Sequence, residues 1–333
     1  MTRPIRSILL LQGGALGDTV LQMRLAQIFR HALSEAAVTW LGRDGWLPIA
    51  RRCTCIDRLV GMDALRSHRL FEQSERTDAD LAEWLRDFDL IVNGLAPADS
   101  PAALRLRQFA RVAGITYDTR PREGSRQHII TQWLEQLIPQ LAGIALDLAK
   151  SVRCAAGPSL EAAETLLEPA PEDLREAAAL LKAAGLDGHA SGCFVLVHPG
   201  SGGRDKCWPM ERYVRLMEIL ANRGRNPVMI VGAAEMERLG AEVDAVGRRH
   251  PLVIDPALSA LIGLASTAGV YVGNDSGPTH LAAALGRPTV ALFGPTEPAV
   301  WRPIGPKVSV FRSRNHEAGW ADVAAESVAA AVT

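Results

Sequence analysis

Short apolar segments of strand length alternate with helix-like segments along this chain, and the alternation occurs in both halves. In the first half, the predicted strands are residues 7–12, 38–41 and 90–93. In the second half, they are residues 193–198, 228–232, 269–273 and 289–293. Strands separated by helical segments are typical of βαβ units, which build parallel sheets. The sequence therefore predicts an α/β protein with two Rossmann-like, doubly wound domains.

The domain boundaries follow from length and from local composition. A chain of 333 residues is long for a single hydrophobic core, which favours two domains. Segment 155–171 contains one glycine, three prolines and small residues, as domain boundaries often do. We therefore expect domains at residues 1–160 and 161–315. Residues 316–333, with one amphipathic helical pattern from Trp320 to Val332, are expected to pack back on the first domain.

Charge and cysteine content exclude several classes of protein. The formal net charge is -1, so nucleic acid is not an expected partner and any anionic partner would need a local basic patch. The five cysteines are odd in number and include no C-x-x-C pair, which predicts neither a disulfide framework nor a metal site. A reducing cytoplasm fits this pattern. The first apolar run, Ile8 to Leu11, is too short for an export signal or a membrane span.

A glycine-rich loop follows the first predicted strand and ends at Asp18. Its spacing, G-G-x-x-G from Gly13, differs from the dinucleotide fingerprint G-x-G-x-x-G and argues against a simple NAD site. Asp18 has two interpretations. It can cap the following helix, as aspartates commonly do, or it can act as a general base presented to solvent beside the loop. Taken alone, the residues favour the cap.

Three further loops, all in the second half, carry residues suited to a nucleotide. The loop after His198 offers backbone N–H groups with the side chains of Ser201 and Lys206 to a phosphate, although a solvated turn with a surface lysine is equally compatible. The next strand leads to Glu235, a candidate for a ribose hydroxyl pair or simply a helix N-terminal acid. Leu258 is a candidate for an adenine pocket or for ordinary core. These loops would meet at one crevice.

The most informative motif is V-G-N-D-S-G-P-T-H from Val272 to His280. It lies at a strand-to-helix junction, where free N–H groups and the helix dipole favour an anion. Asp275 would be repelled by a phosphate, so capping or ordering of the loop is its expected role. His280 can donate to an oxygen ligand, or it can be merely structural. The candidate ligand contacts here are Asp275, Ser276, Gly277 and His280.

Together these motifs resemble glycosyltransferase family 9, the lipopolysaccharide heptosyltransferases. The resemblance rests on GALGD ending at Asp18, on HPGSG with K-x-W-P ending at Pro209, and on the block from Gly273 to Thr296. It implies a GT-B fold, in which two Rossmann-like domains face each other across a cleft. It also implies that the first domain takes the acceptor and the second takes an ADP-sugar, with inversion and without a metal or other cofactor.

Carried over position by position, the resemblance implies roles for individual residues. Asp18 would be the general base, which reverses the preference for a pure cap. Lys206, with backbone donors near Ser276, would stabilise the departing diphosphate. The resemblance further implies a nucleotide-sugar contact set of Ser201, Gly202, Lys206, Glu235, Leu258, Asp275, Ser276, Gly277 and His280. Two alternatives stay open: an epimerase-like enzyme of the same fold and a catalytically silent nucleotide-sugar binding protein.

The acceptor is expected to be a lipid-linked or oligosaccharide molecule, and arginines suggest where it binds. Six arginines against two acids lie between Arg105 and Arg126, in a nearly neutral chain. A helix predicted at 101–113 would place Arg107 and Arg111 on one face. These arginines form a solvated surface or an acceptor site at the anionic cytoplasmic face of the inner membrane. The candidate acceptor contacts are Gly14, Arg107, Arg111 and Arg120.

Overall fold

The computed structural model describes residues 4–65, 67–70, 79–161, 164–186, 191–315 and 320–332. The chain divides into two compact units, Met1–Leu166 and Leu167–Thr333. The sequence prediction placed this boundary between residues 160 and 161. Part of segment 155–171, predicted as a boundary segment, is helical, because a helix continues through Gly157 to Glu161.

The first unit contains one parallel sheet in the order β3-β2-β1-β4-β5. Its strands are β1 Ser7–Leu11, β2 Ala37–Gly42, β3 Arg58–Gly61, β4 Leu90–Asn93 and β5 Ala113–Thr116. Its helices are α1 Leu16–Ala32, α2 Leu47–Ala50, α3 Ala79–Leu85, α4 Pro101–Phe109, α5 Ile129–Ile144 and α6 Leu146–Glu161. The central β1 lies between β2 and β4, so its apolar residues are buried.

The second unit contains a parallel sheet in the order β11-β10-β9-β6-β7-β8. Its strands are β6 Phe194–His198, β7 Asn226–Val231, β8 Leu252–Ile254, β9 Val270–Asn274, β10 Thr289–Phe293 and β11 Val308–Arg312. Its helices are α7 Pro171–Ala183, α8 Met210–Asn222, α9 Ala233–Gly247, α10 Leu258–Thr267, α11 Gly277–Ala284, α12 Pro298–Trp301 and α13 Ala325–Ala331.

Both sheets confirm the predicted α/β class with two doubly wound parallel sheets. Every residue of β6 and of β9 is buried, which explains their near-continuous apolar runs, since a parallel sheet is covered on both faces. Parallel strands also bring their carboxyl ends to one edge, where open α/β sheets bind ligands. In the described ranges, no helix is both long and apolar enough to cross a membrane.

The prediction for the C-terminal segment was wrong in two respects. The helix spans only Ala325–Ala331, because Trp320 has a left-handed φ of 59° and begins a turn. The helix also packs on α8 of the second unit, where its Val328 joins the buried apolar core. Two hydrogen bonds fix the segment there: Trp208 Nε1 and Arg212 Nη1 donate to the carbonyl of Val323 at 3.1 and 2.6 Å.

Candidate functional site

Lys206 and Asp275 form an ion pair at the carboxyl edge of the second sheet. Lys206 ends a 3-10 turn after β6, and its Nζ lies 3.0 Å from Oδ2 of Asp275, which directly follows β9. Thr296 donates to the same oxygen at 2.8 Å. Burial raises the pKa of Asp275, but the nearby His280 imidazole and the Lys206 ammonium outweigh burial and lower that pKa to about 2. Asp275 is therefore an anion that positions Lys206 rather than a phosphate contact.

The whole loop from β6 to α8 is fixed by Asn274, the fully buried last residue of β9. Its Nδ2 donates to the carbonyls of Pro199 and Gly200, at 2.8 and 3.3 Å. Its Oδ1 accepts from Trp208 N and Tyr213 Oη, at 3.0 and 2.9 Å. One carboxamide thus fixes both ends of the loop that carries Ser201 and Lys206. We did not single out Asn274 from the sequence, because its partners lie more than 60 positions away.

Ser201, Ser276, Gly277 and His280 gather around Asp275, as predicted. Ser201 Oγ donates to the Asp275 carbonyl at 2.7 Å, which joins the two loops. Ser276 precedes α11 but its side chain does not cap the helix. Pro278 has no N–H, and the Thr279 and His280 N–H groups donate to the Ser276 carbonyl, so the N–H groups of Ser276 and Gly277 are the ones available to an anion. His280 is 4% exposed, its Nε2 lies 3.9 Å from Asp275 Oδ1, and its Nδ1 has no partner among the described residues.

Glu235 lies in the first turn of α9, next to the same loop. Its Oε2 accepts from Gly232 N at 2.8 Å. Glu235 therefore caps α9, as expected of a helix N-terminal acid. A Cβ at Gly200 would lie 2.1 Å from Glu235 Oε1, which shows how closely the two segments approach. His198 is neutral at pH 7, because burial, aided by Arg238, lowers its pKa to about 4 despite the charge of Glu235.

The structure gives less support to two other predicted contact residues, Leu258 and Gly202. Leu258 is the first residue of α10 and is half-buried, beyond β8 at the same sheet edge. A Cβ at Gly202 would meet nothing within 4 Å, so the described protein itself does not require a glycine there. Any requirement for glycine at this exposed position would come from a ligand.

In the first unit, Asp18 caps α1 from within its first turn. Its Oδ2 accepts from Ala15 N at 3.1 Å. A Cβ at Gly14 would lie 2.5 Å from the Asp18 Cβ and 2.9 Å from its Oδ2, so the loop admits only glycine there. The capping interpretation is therefore correct, and the same side chain remains half-exposed. The general-base role stays a prediction.

Three residues beside this loop were not predicted. Arg43 Nε donates to the Gly13 carbonyl at 2.6 Å, and Trp46 Nε1 donates to the Gly14 carbonyl at 3.3 Å. Tyr117 follows β5, and its pKa is raised by burial and by the Asp18 carboxylate. The Tyr117 phenol is thus a neutral hydroxyl near Asp18. Their sequence separation from the loop left no local signal.

The arginine-rich segment differs from its prediction. Helix α4 ends at Phe109 because residues from Ala113 onward pair with β4. Arg107 and Arg111 therefore do not share a helical face. Most of the arginines already have partners within the unit: Arg105 donates to the Leu70 carbonyl, Arg111 pairs with Asp87, Arg120 with Asp118 and Arg122 with Glu135. Exposed Arg107 and Arg126 have no such partner in the described ranges.

Comparison with known proteins connects both units to one family. The family model for glycosyltransferase family 9 (heptosyltransferase) matches residues 107–328. Lipopolysaccharide heptosyltransferase 3 of Escherichia coli K12 is 29% identical over 145 residues, which cover 41% of this chain and 40% of that protein. Lipopolysaccharide heptosyltransferase 1 of Pseudomonas aeruginosa PAO1 is 26% identical over 304 residues, 87% of this chain and 79% of that protein.

The fold resembles that of a solved heptosyltransferase. The structure of E. coli ADP-heptose lps heptosyltransferase II superposes with a TM-score of 0.70 at 18% identity and covers 98% of this chain and 97% of that chain. This likeness confirms the predicted fold class. The local match to the E. coli heptosyltransferase 3 is short, since the chain spans less than half of that relative's length.

Proposed function

Since the chain belongs to glycosyltransferase family 9, the heptosyltransferase family, we propose that it transfers a heptose or a related sugar from an ADP-sugar to a hydroxyl of a lipopolysaccharide core or other glycolipid acceptor. The observation that carries this proposal is the cluster at the carboxyl edge of the second sheet. There, Lys206 and Ser201 both bond to Asp275, which lies just before the first turn of α11. Cations and free N–H groups at such an edge suit a diphosphate.

At the donor end, the reaction needs compensation for the charge that the leaving ADP gains. Lys206 and the N–H groups of Ser276 and Gly277 supply it without a metal ion. In this proposal Glu235 accepts from the ribose hydroxyls, and Leu258 borders the adenine. The ADP-heptose named for the E. coli relative of similar fold supports this choice of donor.

At the acceptor end, Asp18 takes the proton of the attacking hydroxyl. The hydroxyl attacks the anomeric carbon from the face opposite the leaving ADP, so that the C–O bond to ADP breaks as the new glycosidic bond forms and the configuration inverts. One carboxylate base suffices for this single displacement, and its contribution is typically about 10²- to 10⁴-fold.

A turnover assay tests the proposal against its alternatives. Purified protein is incubated with ADP-heptose, with and without a heptose-deficient lipopolysaccharide acceptor, and released ADP is measured over many turnovers. We expect ADP release that depends on the acceptor. Sugar isomerisation without acceptor would identify an epimerase-like enzyme, and binding of ADP-heptose without turnover would identify a silent binding protein.

Replacing Lys206 by alanine should weaken ADP binding about 10- to 150-fold. A charge-assisted contact to phosphate contributes about 1.5–3 kcal/mol, and Asp275 already fixes the ammonium in place. Calorimetry on Lys206→Ala measures the change. Lys307→Ala, an exposed lysine of the same unit, is the matched control and should bind ADP as the wild type does. Unchanged ADP affinity in Lys206→Ala would remove the loop from the donor site.

We also propose that exposed arginines of the first unit bring the enzyme to an anionic membrane surface. Arg107 and Arg126 are the ones without a protein partner in the described ranges, and each contributes about 1 kcal/mol near such a surface. Co-sedimentation with phosphatidylglycerol vesicles should therefore weaken roughly 30-fold or more in Arg107→Glu/Arg126→Glu, and high salt should abolish it.

The charge-matched control for this experiment is Arg225→Glu/Arg248→Glu, which reverses two exposed arginines of the second unit. It should retain most of the wild-type binding. Equal binding by both variants, or no binding by the wild type at low salt, would exclude the arginine segment as a membrane contact.

A further inference from the structure

A cavity of about 320 Å³ lies in the second unit, between the β6–α8 loop and α9. Its wall consists of Pro199, Arg204, Cys207, Trp208, Pro209, Met210, Arg238 and Leu239. The proposed donor contacts Ser201, Lys206 and Glu235 are not among these wall residues, nor is Asp275, which positions Lys206. The volume is at the small end of the range for ligand sites. The proposed donor role therefore leaves this cavity unexplained.

Two arginines place positive charge in the wall of this cavity. Neither Arg204 nor Arg238 forms an ion pair with any carboxylate in the described part of the chain. The polar contact found for Arg238 is with Cys207 Sγ, 3.5 Å from its Nη2. Burial raises the pKa of Cys207, so its thiol stays neutral near pH 7 and does not balance the guanidinium. A half-buried, unpaired guanidinium favours an oxyanion, which it binds through two parallel N–H groups.

The rest of the wall is apolar, and helix α9 is kinked where it borders the cavity. Trp208, Met210, Leu239 and the two prolines provide carbon surface rather than hydrogen-bonding groups. At Leu239 the backbone leaves helical geometry, with φ of -129° and ψ of 24°, so α9 is kinked where it borders the cavity.

We propose that this cavity is a second ligand site, which binds a small organic oxyanion, a phosphate ester or a carboxylate attached to an apolar group. Arg204 and Arg238 bind the oxyanion, and the apolar body lies against Trp208, Met210 and Leu239. The cavity borders the proposed donor site, since Cys207 directly follows Lys206 in the chain, but a ligand in it does not require the transferase function.

Cys207 provides the test, because its thiol lies in the cavity wall. N-ethylmaleimide modification of each cysteine is followed by peptide mass spectrometry, with phenyl phosphate as the probe and ionic strength held constant. At about ten times its Kd, phenyl phosphate should slow Cys207 modification roughly tenfold. The exposed Cys154 and Cys193 are internal controls and should react at unchanged rates. Benzoate in place of phenyl phosphate decides between phosphate and carboxylate, and phenol, the neutral analogue, should not protect.

Variants of the two arginines identify the groups that bind the oxyanion. Arg238→Met and Arg204→Met should each abolish most of the protection, whereas Arg248→Met, an exposed arginine that ends the same helix α9, should retain it. Since Arg204 is exposed, its variant remains informative if Arg238→Met fails to fold. The proposal is overturned if phenyl phosphate does not protect the wild type, or if both arginine variants are protected normally. It is also overturned if protection is lost in Lys206→Ala alone, which would place the anion in the donor site.

Discussion

Asp18→Asn is expected to lower kcat by about 10²-fold or more while the affinity for ADP stays within about twofold of the wild type. The substitution separates the two roles of this side chain. An amide oxygen accepts from the Ala15 N–H as the carboxylate does, and asparagine is as good a cap as aspartate. The helix start is therefore preserved, and only the capacity to take a proton is lost. Steady-state kinetics with saturating acceptor measures the effect.

The second unit offers a matched control for this change. Asp173 occupies the equivalent position of α7, where its Oδ2 accepts from Ala170 N at 2.8 Å. Asp173→Asn makes the same change at a helix start away from the proposed base, and we expect wild-type kcat. If Asp18→Asn also retains wild-type kcat, Asp18 is a structural cap and the base must be sought elsewhere.

Asn274→Leu is expected to lower the free energy of unfolding of the second unit by roughly 3–9 kcal/mol. Leucine has a similar branched shape but no polar atoms. It leaves the buried Trp208 N–H, the Tyr213 hydroxyl and the Pro199 carbonyl without their partner. Each unsatisfied buried group costs about 1–3 kcal/mol. ADP affinity should fall as well, because the β6–α8 loop loses the contacts at both of its ends.

Urea unfolding followed by circular dichroism measures the stability, with two transitions fitted for the two units. Only the transition of the second unit should shift. Asn226→Leu is the control, because Asn226 makes a single, exposed side-chain bond to the Cys193 carbonyl, at 3.0 Å. We expect Asn226→Leu to lower the free energy of unfolding by about 1 kcal/mol or less. A comparable small loss for Asn274→Leu would show that the loop does not depend on this carboxamide.

The sequence predicted best those features that depend on neighbouring residues. Strands β4 and β10 have the predicted bounds, and β6 and β9 differ from theirs by one residue, because long buried apolar runs give an unambiguous signal. The loops around Ser201 and Asp275 were found for a similar reason, since glycine-rich strand-to-helix turns are local patterns. Their meeting at one edge then follows from the parallel arrangement.

Features that depend on distant residues were missed or wrong. Nothing near Asn274 indicates that it bonds to both ends of another loop, and nothing near Arg43 indicates a bond to Gly13. Helix α4 was predicted four residues too long, because Ala113 begins a short strand that depends on pairing with β4 and on hydrogen bonds to Gln140 of α5, both distant in sequence. Trp320 satisfies a helical pattern in sequence but is buried in a turn against the core of the second unit.

The position of α13 has a consequence for the order of events during synthesis on the ribosome. The core of the second unit includes Val323, Val328 and Ala329, and Arg223, which directly follows α8, donates to the Ala329 carbonyl at 2.8 Å. That core stays incomplete until residues 320–332 have left the exit tunnel. The first unit, in contrast, consists of residues up to Leu166. Domains fold as units from the N-terminal one onward. The first unit is thus folded early. The nascent second unit exposes apolar surface of α8 until this segment has emerged. Chaperone binding or premature termination would matter most in that interval.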